Sequence, residues 1–400
     1  MIKSDKEVVE DINIKDYSIL EWIDHHKILN EKGDPISFHK HLFLVDIYED
    51  QSQNLVVMKA AQVGLSTLEI LKNFYDAARM KMDIIYTLPT DSDVSVFVSG
   101  KVNRIIANNK ILQEYTKDKD SIEQKQIRQS YVYFRSTWTQ RAANMVTADR
   151  LVHDEKDSSN QQVLSTYQAR MQHSQYKQTH TFSHPSSPGV GVDADWLDSD
   201  QKEWFIICPH CQKERYLSWD INDHKKMSID MKTKQFVCKE CKGVLGWKDR
   251  AKGRWIPRYK DTLPSGKPIK FSGYHSSLLL CPWVTAGEIV DKFNDPKSTL
   301  EFFYTRVLGL PYAGSGNSVS ERTIKDLVTT DKNLYKGRMV IGVDTGIKLR
   351  YVIGNKQGLL GFGEMDDYTP DDVNKLALNQ TIEYFLKVFP NSIMVLRSLW

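Results

Sequence analysis

The sequence predicts an α/β protein built on a mainly parallel sheet, and three observations lead there. Short apolar runs alternate with helical stretches between about residues 41 and 200. One of these runs passes through a glycine turn into a Ser-Thr helix start. A later run ends in an adjacent Asp-Glu pair.

Residues 1–40 read as a helical, mostly polar lead-in. The strand-like runs are NLVVMKA (54–60), DIIYTLP (83–89), SYVYFRS (130–136), RLVHDE (150–155) and THTFSHP (179–185), which assigns 41–200 to one α/β core. Residues 201–250 carry paired cysteines and a Lys-rich middle, the composition of an inserted module. Residues 251–325 return to mixed character, with a helix expected over TAGEIVDKFNDPKSTLEFFYTRVLG and a linker over GSGNS at 314–318. Within 336–400, RMVIGVDTG, RYVIGNKQG and LLGFGEMDD predict three consecutive strands with glycine turns, followed by a helix at about 371–388 and a strand at 392–396.

The segment from Lys59 through Ala60, Ala61, Gln62, Val63, Gly64, Leu65, Ser66 and Thr67 has the layout of a phosphate-binding loop. The usual pattern places a Lys just before the hydroxyl residue. Here Leu65 holds that place and the Lys opens the loop as Lys59. A lysine side chain reaches bound phosphates from either end of so short a loop. Gly64 allows close backbone approach, and a helix starting near Ser66 aims its amides at an anion. Ser66 stands where a hydroxyl would ligate Mg²⁺.

The run RLVHDE offers Asp154 for the Mg²⁺ shell and Glu155 to activate water. Loop and acid pair, in this order, point to ATP hydrolysis. Asp157 reads as a local hydrogen-bond acceptor. Ser183-His184-Pro185-Ser186, closing the next strand, reads as a simple loop or as a sensor of the γ-phosphate. Arg104, Arg141 and Arg150 are candidate arginines for stabilising transition-state charge, and the sequence does not choose among them.

Cys208, Cys211, Cys238 and Cys241 form two CxxC pairs, the thiolate set of a structural Zn²⁺. His210 lies inside a knuckle, but the four thiols already fill a tetrahedron. Lys225, Lys226, Lys232, Lys234, Lys239 and Lys242 lie in the same module, either against nucleic-acid phosphates or as a solvated face. Cys281 reads as a buried small residue. In the last segment Asp344 sits on an apolar strand, as a metal-binding carboxylate of a two-metal nuclease would, with Glu364 and Asp366 as further acids or simple turn residues.

Bulk properties exclude other classes. A net charge of +3 is too small to imply a polyanion partner by itself. No apolar run reaches the roughly 18–20 residues of a bilayer span, and the polar N-terminus is no secretory signal. Cysteines in CxxC pairs favour metal over disulfides in a reducing compartment.

Taken together, KAAQVGLS, TLPTDSDVSVFV, LVHDEKD, SHPS, the stretch from SDQKEWFIICPHC through LSWD, YHSSLLLCPWVT, FFYTRVLGLPY and VIGVDTG resemble, in order, the large terminase subunit of tailed phages, lambda-type branch. The resemblance implies a motor that hydrolyses ATP to move double-stranded DNA into a procapsid, with an RNase H-like nuclease that cuts concatemers using Mg²⁺ or Mn²⁺. It implies that Lys59, Gly64 and Ser66 bind ATP–Mg²⁺, that Asp154 holds the metal, that Glu155 is the catalytic carboxylate, and that Ser183, His184 and Pro185 couple hydrolysis to motion. Adenine would lie near Phe38, and Asp344 would hold the nuclease metal. Implied partners are DNA, a small terminase subunit, the portal and further copies in a ring, in the cytoplasm of an infected host.

Two departures accompany the resemblance. The family's second nuclease Asp either falls where this chain has Arg397 or is lost altogether, and residues 336–400 supply less than the expected nuclease domain. The domain is therefore expected to be C-terminally incomplete, with weak or no nuclease activity. A helicase-like ATPase and a non-catalytic zinc-containing DNA-binding assembly protein are the competing readings.

Overall fold

The computed structural model describes residues 17–116, 121–143, 146–221, 223–313, 340–345, 349–355, 358–365 and 393–397. The linker at 314–318, the helix at 371–388 and Asp366 lie outside the described residues, as do the side chains of Arg141, Asp344 and Glu364. The chain divides into two compact units, Met1–Asn317 and Ser318–Trp400.

The first unit is organised by strands β1 (Asn54–Lys59), β2 (Ile84–Leu88), β3 (Gln124–Ile127), β4 (Ser130–Ser136), β5 (Arg150–Asp154), β6 (Gln178–Ser183) and, after the cysteine module, β12 (Ser272–Ser276). They form one sheet in the order β12-β1-β6-β5-β2-β4-β3. Every neighbouring pair is parallel except β3–β4, which is antiparallel at the edge. The central strands β2, β5 and β6 are buried along their whole length, because crossovers cover both faces, whereas β4 near the edge alternates. The five expected strands all appear. The sequence reading had no place for β12, whose residues SGYHS are polar and lack alternation.

The order decides where a site forms. The chain leaves β1 through the helix Leu65–Met80 and skips over the positions that β5 and β6 later fill. The carboxyl ends of β1, β6, β5 and β2 therefore lie side by side, the edge where α/β sheets bind ligands.

A buried polar layer anchors that helix. Arg150, fully buried on β5, donates to Asp76 Oδ2 at 2.6 Å, Asn73 Oδ1 at 3.1 Å and Gln178 Oε1. Lys72 Nζ donates to the carbonyls of Tyr48 and Asp50, and His180 Nδ1 on β6 meets Glu69 Oε1 at 3.0 Å. Charged groups withdrawn from water in this way need good partners, and here they cross-link helix and sheet.

The cysteine module is stitched to the same core. Strands β7 (Glu203–Ile207), β8 (Glu214–Tyr216) and β11 (Gly253–Ile256) form an antiparallel sheet, and β9 (Ile229–Asp230) pairs with β10 (Gln235–Phe236). Trp255 Nε1 donates to Phe43 O, and Trp204, Phe43 and Trp255 pack edge to face. Arg250 donates to the carbonyls of Leu279, Cys281, Pro282 and Val284, pinning the loop after β12.

The single helix expected over 285–309 is broken. Thr285 and Glu288 form a capping box for Ala286–Asn294, which ends before Pro296, a residue that cannot continue a helix. Thr299 caps a new turn, Leu300–Phe302, which widens into a π-helical turn at Phe303–Leu308 and stops at Gly309 with φ +63°.

In the second unit, β13 (Val340–Thr345), β14 (Leu349–Asn355), β15 (Gly358–Met365) and β16 (Ile393–Arg397) form a sheet in the order β15-β14-β13-β16. The first three are antiparallel neighbours, and β16 runs parallel to β13.

Candidate active site

The loop after β1 is shaped by two left-handed residues, Gln62 at φ +59° and Gly64 at φ +92°. Gly64 is required twice over. Its φ disfavours any side chain, and an added Cβ would sit 3.1 Å from Leu44 Cδ1. Among the described residues, the amides of Gln62, Val63, Gly64, Leu65, Ser66 and Thr67 donate to no protein acceptor. Six unengaged amides around a helix N-terminus form a nest for an anion. The amides of Ala60 and Ala61 differ: they donate to Ser276 O at 2.7 Å and Arg306 O at 2.8 Å. Those two loop residues fasten the loop rather than offer it to phosphate.

Lys59, last in β1, meets both acids that close β5. Its Nζ lies 3.1 Å from Asp154 Oδ1 and 2.8 Å from Glu155 Oε1. Asp154 Oδ2 accepts from Ser66 Oγ at 3.2 Å and from Tyr86 OH at 2.7 Å. Burial alone would raise the Asp154 pKa, but Lys59, Tyr86 and Ser66 outweigh it and hold the carboxyl ionised below its usual range. Burial likewise opposes the charge on Lys59, and the two acids overcome it, so its pKa is raised. Glu155 is the more exposed acid and sits at φ +54°, a strained conformation for a non-glycine residue. Its amide is held by Phe182 O and Asp154 Oδ1.

The end of β6 contacts the same groups. His184 Nδ1 lies 3.0 Å from Lys59 O and its Nε2 lies 3.4 Å from Glu155 Oε1. Burial, the largest influence, brings its pKa down to about 4. Ser183 Oγ accepts from Asp157 N. Asp157 itself accepts from the amides of Ser186 and Val192 and from Ser186 Oγ, the local acceptor role expected of it. Beside Gly64 and Thr67 opens a cavity of about 470 Å³ lined by Phe38, His41, Leu44 and Tyr48.

Of the three candidate arginines, Arg150 is locked in the buried layer and does not reach the site. Arg104 is exposed on a helix, Asn103–Asn108. Two contacts at the site carry no signal in the sequence, the Tyr86 hydroxyl on Asp154 and the Arg306 carbonyl on the Ala61 amide. Tyr86 lies in an apolar run that reads only as strand, and Arg306 in a segment that reads only as helix.

The four cysteine sulfurs lie within 4.8 Å of one another. Cys208–Cys241 and Cys211–Cys238 separations are 3.7 and 3.9 Å. A tetrahedron of thiolates about 2.3 Å from Zn²⁺ has edges of about 3.8 Å, so the cluster fits a metal. Each knuckle is the same turn: Gln212 N donates to Cys208 O and Lys242 N to Cys238 O, with Gln212 and Lys242 at positive φ. His210 turns its ring onto Gly243 and bonds Val244 O, outside the cluster. Several of the module's lysines have partners: Lys226 with Asp223, Lys234 with Asp291, and Lys239 over the Tyr216 ring. No described helix is long and apolar enough to cross a membrane.

Comparison with known proteins identifies the family. The family model described as phage terminase large subunit gpA, ATPase domain, matches residues 44–255. No curated protein matches. Among solved structures, the HK97 bacteriophage large terminase is similar at TM-score 0.48 and 11% identity, covering 95% of this chain and 74% of that one. The Thermus phage P74-26 large terminase ATPase domain is similar at 0.43 and 13%, covering 70% and 95%. A large terminase from a thermophilic bacteriophage follows at 0.35 and 10%, covering 86% and 72%. The open amide nest, the Lys59–Asp154–Glu155 cluster and the match spanning both belong together: this chain is a member of the phage terminase large subunit family and carries its ATPase domain.

Proposed function

We propose that the chain is the motor subunit of a DNA-packaging terminase, coupling ATP hydrolysis to movement of double-stranded DNA into a procapsid. The observation that carries this is the cluster of Lys59, Ser66, Asp154 and Glu155 facing six unengaged amides at one sheet edge. In this reading Lys59 and the amides of 62–67 hold the phosphates. The oxygens of Ser66 and Asp154, hard donors 3.2 Å apart, would hold Mg²⁺, which would supply positive charge against the phosphates. Glu155 orients and deprotonates the attacking water. The Phe38–Tyr48 cavity takes adenine.

Ser183, His184 and Pro185 transmit the event. His184 is bonded to the backbone of Lys59 and lies against Glu155, so a change at either carboxylate or loop is felt at the end of β6. Zn²⁺ in the Cys208–Cys211–Cys238–Cys241 cage would hold the module's two knuckles together.

For the second unit, the order β15-β14-β13-β16 supports an RNase H-like nuclease start, with Asp344 on β13 as a Mg²⁺ or Mn²⁺ ligand. In the backbone register Asp344 lies opposite Arg397 of β16, the position where the resemblance expects the second nuclease Asp, and this supports weak or no cleavage by this chain. The domain divisions (41–200, 201–250, 251–325 and 336–400), the small-subunit and portal partners, a ring of copies and the host cytoplasm belong to the same proposal.

ATP turnover by the purified chain, with and without double-stranded DNA, tests it. Turnover stimulated by DNA and abolished by Glu155→Ala with nucleotide binding retained is the expected result. Glu155→Ala turnover equal to wild type would refute the assignment, and unwinding of a forked substrate would favour a helicase instead.

A further inference from the structure

The chain leaves the nucleotide sheet through the π-helical turn Phe303–Leu308, and this strap grips both halves of the site. Arg306 O accepts the Ala61 amide at 2.8 Å. Leu308 O lies 2.9 Å from His275 Nε2 on β12. Gly309 packs so tightly that a Cβ would stand 2.8 Å from Ala60 N and 2.9 Å from Lys59 C. Tyr312 N donates to Ser186 O at 3.0 Å, just past the Ser183–His184–Pro185 corner. π-helical turns of this kind are frequent at functional sites.

At the centre of the strap the Arg306 side chain is half-buried and, among the described residues, makes no hydrogen bond or ion pair. The carbonyl of Arg306 holds the Ala61 amide, so this cation is tethered beside the loop. Its positive charge acts on His184, the imidazole that lies 3.4 Å from Glu155. The charge on Lys59, the loop's own cation, is already shared with two carboxylates. Leu65 stands where loops of this kind carry a lysine. A triphosphate with its Mg²⁺ remains negative, and the transition state of phosphoryl transfer spreads that charge over the γ-oxygens.

We propose that Arg306 is the arginine of this site acting in cis, its guanidinium meeting the γ-phosphoryl oxygens during hydrolysis. The proposal rests on the ATPase reading above. In the step, a water oxygen bonds to the γ-phosphorus as the bond to the β–γ bridging oxygen breaks. The electron pair leaves on ADP, the water proton passes to Glu155, and inorganic phosphate is released. Arg306 exchanges no proton and stabilises charge only.

The test compares the full chain with Arg306→Ala, Arg306→Lys and Glu155→Ala, measuring kcat and the Kd of a fluorescent non-hydrolysable ATP analogue. The expected result is a loss of about 10³-fold in kcat for Arg306→Ala, near the lower end for arginines of this role, with Kd little changed. Added guanidinium ion should restore part of that turnover, which a merely structural bracing role would not allow. Mixing Arg306→Ala with Glu155→Ala protein should restore nothing. Wild-type kcat in Arg306→Ala, parallel loss of analogue binding without guanidinium rescue, or restoration on mixing would each overturn the proposal. Absence of turnover in the wild-type chain would instead remove the ATPase reading, and this proposal with it.

Discussion

The Nζ of Lys59 lies between Asp154 Oδ1 and Glu155 Oε1, 3.1 and 2.8 Å away, so one ammonium joins the end of β1 to both acids at the end of β5. Because β6 lies between those strands, the contact crosses a sheet position, and His184 ties the β6 corner to the Lys59 carbonyl and the Glu155 carboxylate. In the proposed reading, phosphates would compete with the acids for Lys59 and Mg²⁺ would compete with Lys59 for Asp154, so binding would rearrange a cluster that His184 ties to the end of β6.

Gly64→Ala places a side chain at φ +92° and 3.1 Å from Leu44 Cδ1. A stability loss of about 1–3 kcal/mol is expected from the backbone alone. Nucleotide affinity should fall further than stability, because the strained residue lies inside the amide nest. Thermal melts and titration with a fluorescent ATP analogue measure the two; unchanged affinity in a folded variant would argue against the nest.

Cys238→Ser is expected to lose one bound zinc per chain and lower the melting temperature of the whole first unit. The module shares its core with the nucleotide sheet through Trp204, Trp255 and Phe43, so it does not unravel alone. Metal analysis and calorimetry check this. Wild-type protein containing no zinc, or a variant melting as wild type does, would count against the cage.

Arg150→Met should destabilise by about 3–5 kcal/mol, since it strands Asp76 in a fully buried site. Arg150→Met combined with Asp76→Leu should recover much of the loss. Denaturant unfolding of the two variants decides it, and a single variant as stable as wild type would contradict the account of the buried layer.

Burial brings the His153 pKa down to about 3 from 6.5, so the folded chain keeps it neutral where the unfolded chain takes a proton. Stability from this group is present above pH 6.5 and lost as pH falls towards 3, at up to about 1.4 kcal/mol per pH unit. His184 works in the same direction down to about 4. His275 opposes them: burial lowers its pKa, but Glu203 and Leu308 O raise it above 6.5 overall, so its contribution is full below 6.5 and is lost as pH rises from there through its raised pKa. His153→Gln should flatten the melting temperature between about pH 6.5 and 4; an unaltered slope would contradict the assignment.

Much of this was legible because the signals are local. The strands of the parallel sheet are apolar runs buried on both faces, and the loop, the acid pair and the cysteine knuckles are set by spacing along the chain. What was not legible depends on contacts between distant segments. That β6 sits between β1 and β5, bringing His184 to Lys59, follows from sheet order. Tyr86 reads as a core aromatic until its hydroxyl is seen on Asp154. β12 lacks alternation because its polar residues are satisfied by partners such as Glu203 and Asp50. The break before Pro296, by contrast, had a signal in the sequence that the long helical pattern obscured.

The central claim is that Lys59, at the start of the loop, does the work usually given to a lysine at its end. DNA-stimulated ATP turnover of wild type against Lys59→Ala tests it most directly. The account expects robust wild-type turnover and a loss of about 10²-fold or more in the variant, the scale on which removing one electrostatic contact to a transition state is felt. Turnover in Lys59→Ala equal to wild type would contradict it.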